Sequence, residues 1–201
     1  DQRLAGTVRL TATEMLATRF IMPEVHRLHA AHPDITLDLV CSNRSVSLAR
    51  READIALRLA RPVEENIVTR RLAAIDLSLY AARAYVDQHG GASPDGTLDG
   101  HRVLAFADAR AFAIENRWLD ERLGSGRVLM RSDSVSSIYA AVVAGLGVAL
   151  LPRAVADRDG ALVALSQEGP EPRVIWQAVH ADVAKSGRVR AVLAFLGDIL
   201  H

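Results

Sequence analysis

Hydrophobic periodicity in this chain switches repeatedly between 2 and 3.6 residues, and that alternation constrains the fold more than any single motif does. Residues 7–12 place Val8, Leu10 and Ala12 on one face, as a strand does. Residues 14–31 then carry Leu16, Phe20, Ile21, Val25 and Leu28 at helical spacing. Pro23 lies inside that run and is expected to kink it, because it lacks a donor and crowds the preceding turn. His32-Pro33-Asp34 ends the helix, and residues 35–41 alternate again, with Ile35, Leu37, Leu39 and Cys41 sharing a face. A short helix is expected over 46–52 and a strand over 54–59. The first 60 residues therefore read β-α-β-α-β, the pattern of a mostly parallel sheet with helices on its faces.

Residues 67–81 form a long extended stretch, too long for one strand, and are expected to cross between lobes. Residues 88–100, rich in Gly, Pro, Ser and Asp, read as a loop. The cycle then restarts with a strand over 103–107, a helix over 113–123, a strand over 127–131, a helix over 135–144 and a strand over 148–151. Ser132-Asp133-Ser134 supplies the N-cap of the second of these helices, and Gly145 and Gly147 its stop. Further strands are expected over 162–165 and 174–181. A closing amphipathic helix over 187–200 buries Val189, Val192, Leu193, Leu196, Ile199 and Leu200. The predicted architecture is α/β: two Rossmann-like lobes joined by two strands crossing near 79–82 and 178–181. Residues 1–80 with 179–201 form the first lobe and 81–178 the second.

Composition narrows the function. Lys and Arg total 24, Asp and Glu total 24, and the formal net charge is zero, which argues against a nucleic-acid-binding surface on this chain. The single cysteine, Cys41, leaves no intrachain disulfide or cysteine-based zinc cluster and fits a reducing, cytoplasmic setting. No apolar run approaches the roughly 20 residues a membrane-spanning helix needs. The opening Asp-Gln-Arg-Leu-Ala does not read as a signal peptide.

Motifs for chemistry are tested and found wanting. Gly145-Leu-Gly147 invites a dinucleotide-binding reading, but position 150 is Leu150 and these glycines end a helix instead of opening one. His26, His29 and His32 lie three apart, so two could share a metal; they equally suit the last helical turn, where positive charge meets the macrodipole. Cys41 as a nucleophile conflicts with its place on the apolar face of a strand that reads as half-buried. No nucleophile elbow, zinc-binding His-Glu-x-x-His or Walker-type loop occurs. No enzyme activity, metal or cofactor is expected.

What remains is a set of polar residues at strand ends, where α/β sheets open their crevice. Thr11, Thr13 and Glu14 follow the first strand; Ser42, Asn43 and Ser45 follow the second; Arg58 ends the third, opposite Ile55, Leu57 and Leu59. Ser132 and Ser134 open a helix of the second lobe. Helix starts there would favour a carboxylate or other anion, and an arginine could add a bidentate contact. Each of these residues also has a plain reading: Ser, Thr and Asn cap helices, Arg58 is solvated or ion-paired, and Phe106 is core.

Several stretches, in order, resemble the effector-binding domain of LysR-type transcriptional regulators. They are Gly6-Thr-Val-Arg-Leu-Thr-Ala-Thr13, Met22-Pro-Glu-Val25, His32-Pro-Asp-Ile-Thr-Leu-Asp-Leu39, Arg51-Glu-Ala-Asp-Ile-Ala-Leu-Arg58 and Leu77-Ser-Leu-Tyr-Ala-Ala82 with Tyr85. The most specific runs from Ser134-Val-Ser-Ser-Ile-Tyr through Ala-Gly-Leu-Gly to Pro152, followed by the closing helix.

The resemblance implies a type 2 periplasmic-binding-protein fold whose two lobes enclose a small-molecule cleft. It implies a bacterial, cytoplasmic regulatory domain that binds an organic acid or amino-acid-like metabolite. Lobe movement would pass allosterically to an N-terminal winged helix-turn-helix that lies outside this sequence and alone would touch promoter DNA. A homodimer or homotetramer is implied, and no membrane association. By family position the effector meets Thr13, Glu14, Asn43, Ser45, Arg58, Phe106, Ser134 and Val135. Glu14 departs from an anion-friendly helix start; it can pair with Arg58 or with an amine, or, most economically, complement the helix N-terminus. The competing readings are a solute-binding protein of a transport system and, behind it, a cysteine or carboxylate hydrolase.

Overall fold

Alternation and helical spacing both translate into the secondary structure of the computed structural model, which describes residues 4–42, 48, 52–91, 93, 96–108 and 110–200. Strand β1 (Gly6–Ala12) buries Val8, Leu10 and Ala12 on one face. Helix α1 (Glu14–Leu16) then runs through a π turn (Ala17–Ile21) and a 3₁₀ turn (Met22–Glu24) into α2 (Val25–Ala31). The kink expected at Pro23 is this double change of winding. Proline cannot donate into the ladder, so the turns on either side of it rewind around the missing bond. The helix stops at His32, and β2 (Ile35–Cys41) follows.

The chain divides into two compact units, Asp1–Ala74 with Val174–His201 and Ile75–Arg173. Both divisions fall upstream of the crossings expected at 79–82 and 178–181. The long extended stretch splits at Asp76 into β4 (Ile67–Ile75) and β5 (Leu77–Ala82), so the first division lies at the end of β4.

In the first unit the sheet order is β2-β1-β3-β10-β4, with β3 at Ile55–Arg58 and β10 at Arg173–His180. β1 pairs parallel with both β2 and β3, and β10 runs antiparallel to β3. The closing helix α7 (Gly187–Ile199) buries Val189, Val192 and Leu196. A small cluster of Leu48, Ala53, Ala56 and Ala178, with Ile67, packs separately. The helix expected over 46–52 falls largely outside the described residues, as do Asn43 and Ser45.

The second unit repeats this plan. Helix α3 (Arg83–His89) follows β5 and runs through Gln88 and His89, which the sequence assigned to the loop; Gly90, at φ 81°, ends it. Then come β6 (Arg102–Phe106), α4 (Ala113–Asp120), β7 (Arg127–Ser132), α5 (Val135–Val143), β8 (Ala149–Pro152), α6 (Arg153–Ala156) and β9 (Leu162–Ala164). β6 and β7 pair parallel, and β5 lies antiparallel between β8 and β9. Val148 joins the two groups: its carbonyl accepts from Leu104 and its N–H donates to Arg102. The resulting succession β7-β6-β8-β5-β9 matches β2-β1-β3-β10-β4, strand for strand. Each unit therefore collects the carboxyl ends of its three parallel strands at one edge.

Gly145 and Gly147 do different work at the end of α5. Gly145, at φ 77°, makes the left-handed turn that stops the helix. Gly147 is needed for space, because a Cβ there would run into the Arg102 carbonyl.

Candidate functional site

The first unit brings β1 and β3 together through Leu10↔Ile55 and Thr11↔Ala56. Side chains alternate along a strand, so Thr11, Ala56 and Arg58 share one face while Ile55 and Leu57 take the other. Thr11 is fully buried. The Arg58 guanidinium donates through Nη2 to Thr11 Oγ1 at 2.8 Å and through Nη1 to the Leu57 carbonyl at 2.9 Å. Burial pulls the Arg58 pKa below its ordinary value, the mark of a guanidinium drawn partly out of water.

Thr13 turns the chain from strand to helix in extended geometry, and its Oγ1 accepts from the Leu16 N–H at 3.4 Å. Glu14 is exposed in the first helical turn, where its charge complements the amide end. Ser42, after β2, donates its N–H to the Ala12 carbonyl, which draws the ends of β1 and β2 together. Thr11, Thr13, Ser42 and Arg58 thus lie at one edge of the sheet.

In the second unit the Ala107 N–H donates to the Ser132 carbonyl and joins the ends of β6 and β7. Ser132 Oγ accepts from the Ser134 N–H at 3.1 Å, and Ser134 Oγ caps α5 by accepting from Ser137 N–H at 3.2 Å. Val135 is the half-buried first residue of α5. Phe106 and Ser134–Val135 therefore share an edge. The Phe106 ring is buried and stacks on Phe112, with centroids 4.3 Å apart.

Three supporting residues escaped the sequence reading. Asn116 of α4 grips Phe106 by both backbone groups: its Oδ1 accepts from Phe106 N–H at 3.1 Å and its Nδ2 donates to the Phe106 carbonyl at 3.0 Å. Glu115, beside it, pairs with Arg173 at 3.1 Å, their side chains only 2% and 14% exposed. Burial raises the Glu115 pKa, and the Arg173 charge opposes that rise. Polar side chains in the buried turn of an otherwise amphipathic helix were the available signal, since buried polar groups need partners.

Cys41 corrects an expectation. It is exposed, because β2 is an edge strand whose last residues, Val40 and Cys41, leave the core. His26 Nδ1 lies 3.1 Å from the Pro23 carbonyl, and among the described residues no three His, Cys, Asp or Glu side chains gather as metal ligands. No helix among those residues is long and apolar enough to cross a membrane.

Comparison with known proteins bears on this arrangement. An HTH-type transcriptional regulator of Xanthomonas campestris pv. campestris is 28% identical over 202 residues, covering 95% of this chain and 58% of that protein. The Mau operon transcriptional activator of Paracoccus denitrificans is 28% identical over 152 residues, 76% of this chain and 50% of the activator. The match thus spans between 50% and 58% of the length of these relatives. The regulatory domain of CrgA, a LysR-type transcriptional regulator from Neisseria meningitidis, has the same fold, with a TM-score of 0.86 at 22% identity over 98% of this chain and 100% of that one. The effector domain of AmpR from Pseudomonas aeruginosa follows at 0.77 and 19% identity, over 98% and 95%. The LysR substrate binding domain model matches residues 1–200. With two like-built α/β units, polar strand edges and a match over essentially its whole length, this chain belongs to the LysR substrate-binding domain family, an effector-binding and not an enzymatic one.

Proposed function

We propose that this chain senses a small organic acid or amino-acid-like metabolite for a LysR-type transcriptional regulator. The observation that carries the reading is the partly desolvated Arg58 guanidinium, tied to buried Thr11 at the strand edge where Thr13 opens a helix. A fixed, water-poor cation beside a helix start favours a carboxylate. Thr13, Glu14, Asn43, Ser45 and Arg58 serve the effector from the first unit, and Phe106, Ser134 and Val135 from the second.

An effector that binds one state of the chain better than another shifts the population toward that state by its differential affinity. The change passes to a DNA-binding segment of the longer protein, which acts in the cytoplasm as a homodimer or homotetramer on promoter DNA. The named relatives are transcriptional regulators and activators, which supports this reading over a transport component.

Thermal unfolding in the presence of benzoate, succinate, glutamate and, as a cationic control, ethylamine tests the proposal. A carboxylate that binds the native state at 100 times its Kd raises stability by about 2.7 kcal/mol, a shift readily seen in Tm. Arg58→Ala and Ser134→Ala are each expected to weaken that ligand about tenfold or more. Unchanged affinity in both would move the site elsewhere.

A further inference from the structure

Two neighbouring residues of α4 hold two different parts of the second unit. Asn116 clamps the backbone of Phe106 at the end of β6. Glu115 holds Arg173, the last residue before the chain passes into the first unit. Arg173 also donates to the Ala111 carbonyl at 2.8 Å, in the turn leading into α4, and its guanidinium carbon lies 5.7 Å from the centre of the Phe112 ring. Phe112 in turn stacks on Phe106. Phe106 and Arg173 are thus joined by two routes, one through the aromatic stack and one through consecutive side chains of a single helical turn.

We infer that Glu115 is a positioning residue for the effector response: with Arg173 it locks the departing strand β10 to the turn of α4 that holds the β6 edge. Displacement of Phe106 then cannot be absorbed within the unit and is delivered to the strand that links the two units. A surface ion pair would not do this, since an exposed pair yields to water; a pair with a 2%-exposed carboxylate and a 14%-exposed guanidinium keeps its geometry. The inference rests on Phe106 lying at the effector edge, as proposed above, but the coupling itself is a property of the ligand-free chain and is tested there.

The test uses the full 201-residue chain with Cys41→Ser and two spin-label pairs. Ala30→Cys with Ala84→Cys spans the two units; Ala84→Cys with Asp120→Cys lies within the second. Distance distributions are measured for each pair with and without Glu115→Gln, which keeps the side chain's size and removes its charge. The expected result is that the distribution between units widens by about half while the one within the second unit stays as narrow as before. No change in either overturns the inference. Widening of both overturns it too, since Glu115 would then merely hold α4 in place. Arg173→Met, which removes the Nη1 that donates to both Glu115 and Ala111, repeats the experiment and decides it if the Gln variant does not fold. A failed carboxylate screen would not affect these distances, so the two readings fall separately.

Discussion

Arg58 and Thr11 stand 47 positions apart in sequence, yet the guanidinium of one donates to the fully buried hydroxyl of the other at 2.8 Å. Parallel pairing of β1 with β3 creates this contact, and it defines the polar edge of the first unit. Thr11→Val keeps the shape of the side chain but removes the Oγ1 that accepts from the Arg58 Nη2. The expected loss is about 1–3 kcal/mol in urea unfolding, and Thr11→Ser, which retains the hydroxyl, should recover most of it.

Gly145 and Gly147 should respond differently to alanine. At Gly145 the cost is that of a left-handed backbone carrying a Cβ, about 1 kcal/mol. At Gly147 the new methyl meets the Arg102 carbonyl, which is held in place by its bond from Val148, so β6 must move away from β8. The expected cost there is about 2–3 kcal/mol, with faster hydrogen exchange at Leu104 and Val148.

Tyr80 is buried and donates to Asp157 Oδ1 at 2.5 Å. Burial first, then this bond and the carboxylate charge, push its phenol pKa well above the ordinary value. The native chain therefore holds the phenolic proton more tightly than the unfolded chain does. The resulting stability is complete below the unfolded phenol pKa of about 10 and is lost as pH climbs above it. Tyr80→Phe is expected to cost about 1–2 kcal/mol near pH 7 and to flatten the alkaline limb of the stability–pH curve.

Asn116→Leu removes the acceptor of the Phe106 N–H and the shorter of two side-chain bonds to its carbonyl. Because Phe106 is buried, its N–H then lacks its side-chain acceptor while its carbonyl keeps only the longer bond from Arg131 Nη1 at 3.4 Å, and a loss of about 1–3 kcal/mol is expected. Hydrogen exchange at the Phe106 amide should accelerate more than at its β6 neighbours Val103 and Leu104.

Most of the element order was legible because strands and helices here obey their own periods. Strands β1, β2, β6 and β7 and helices α5 and α7 fall within a residue or two of their expected bounds. Local pattern could not reveal what depends on a strand's neighbours. The alternation of Ile35, Leu37, Leu39 and Cys41 reads as a buried face, but only sheet order shows that β2 is an edge whose end is exposed. Helices α3 and α6, of seven and four residues, are too short for a 3.6-residue period to declare itself. Within the candidate site, capping residues such as Thr13 and Ser134 announce themselves by type and position. Asn116, Glu115 and Arg173 do not, since their roles come from contacts 10 and 58 residues away in sequence.

The discontinuity of the first unit bears on how the polypeptide comes off the ribosome. Its sheet includes β10, an interior strand synthesised only after the whole of the second unit, which is contiguous from Ile75 to Arg173. Nascent chains mature in the order their parts become complete, so the inserted half can finish while the half encoded around it still waits for its tail. A premature stop near residue 173 would therefore spare the contiguous second unit and ruin the first, whose sheet would lack β10.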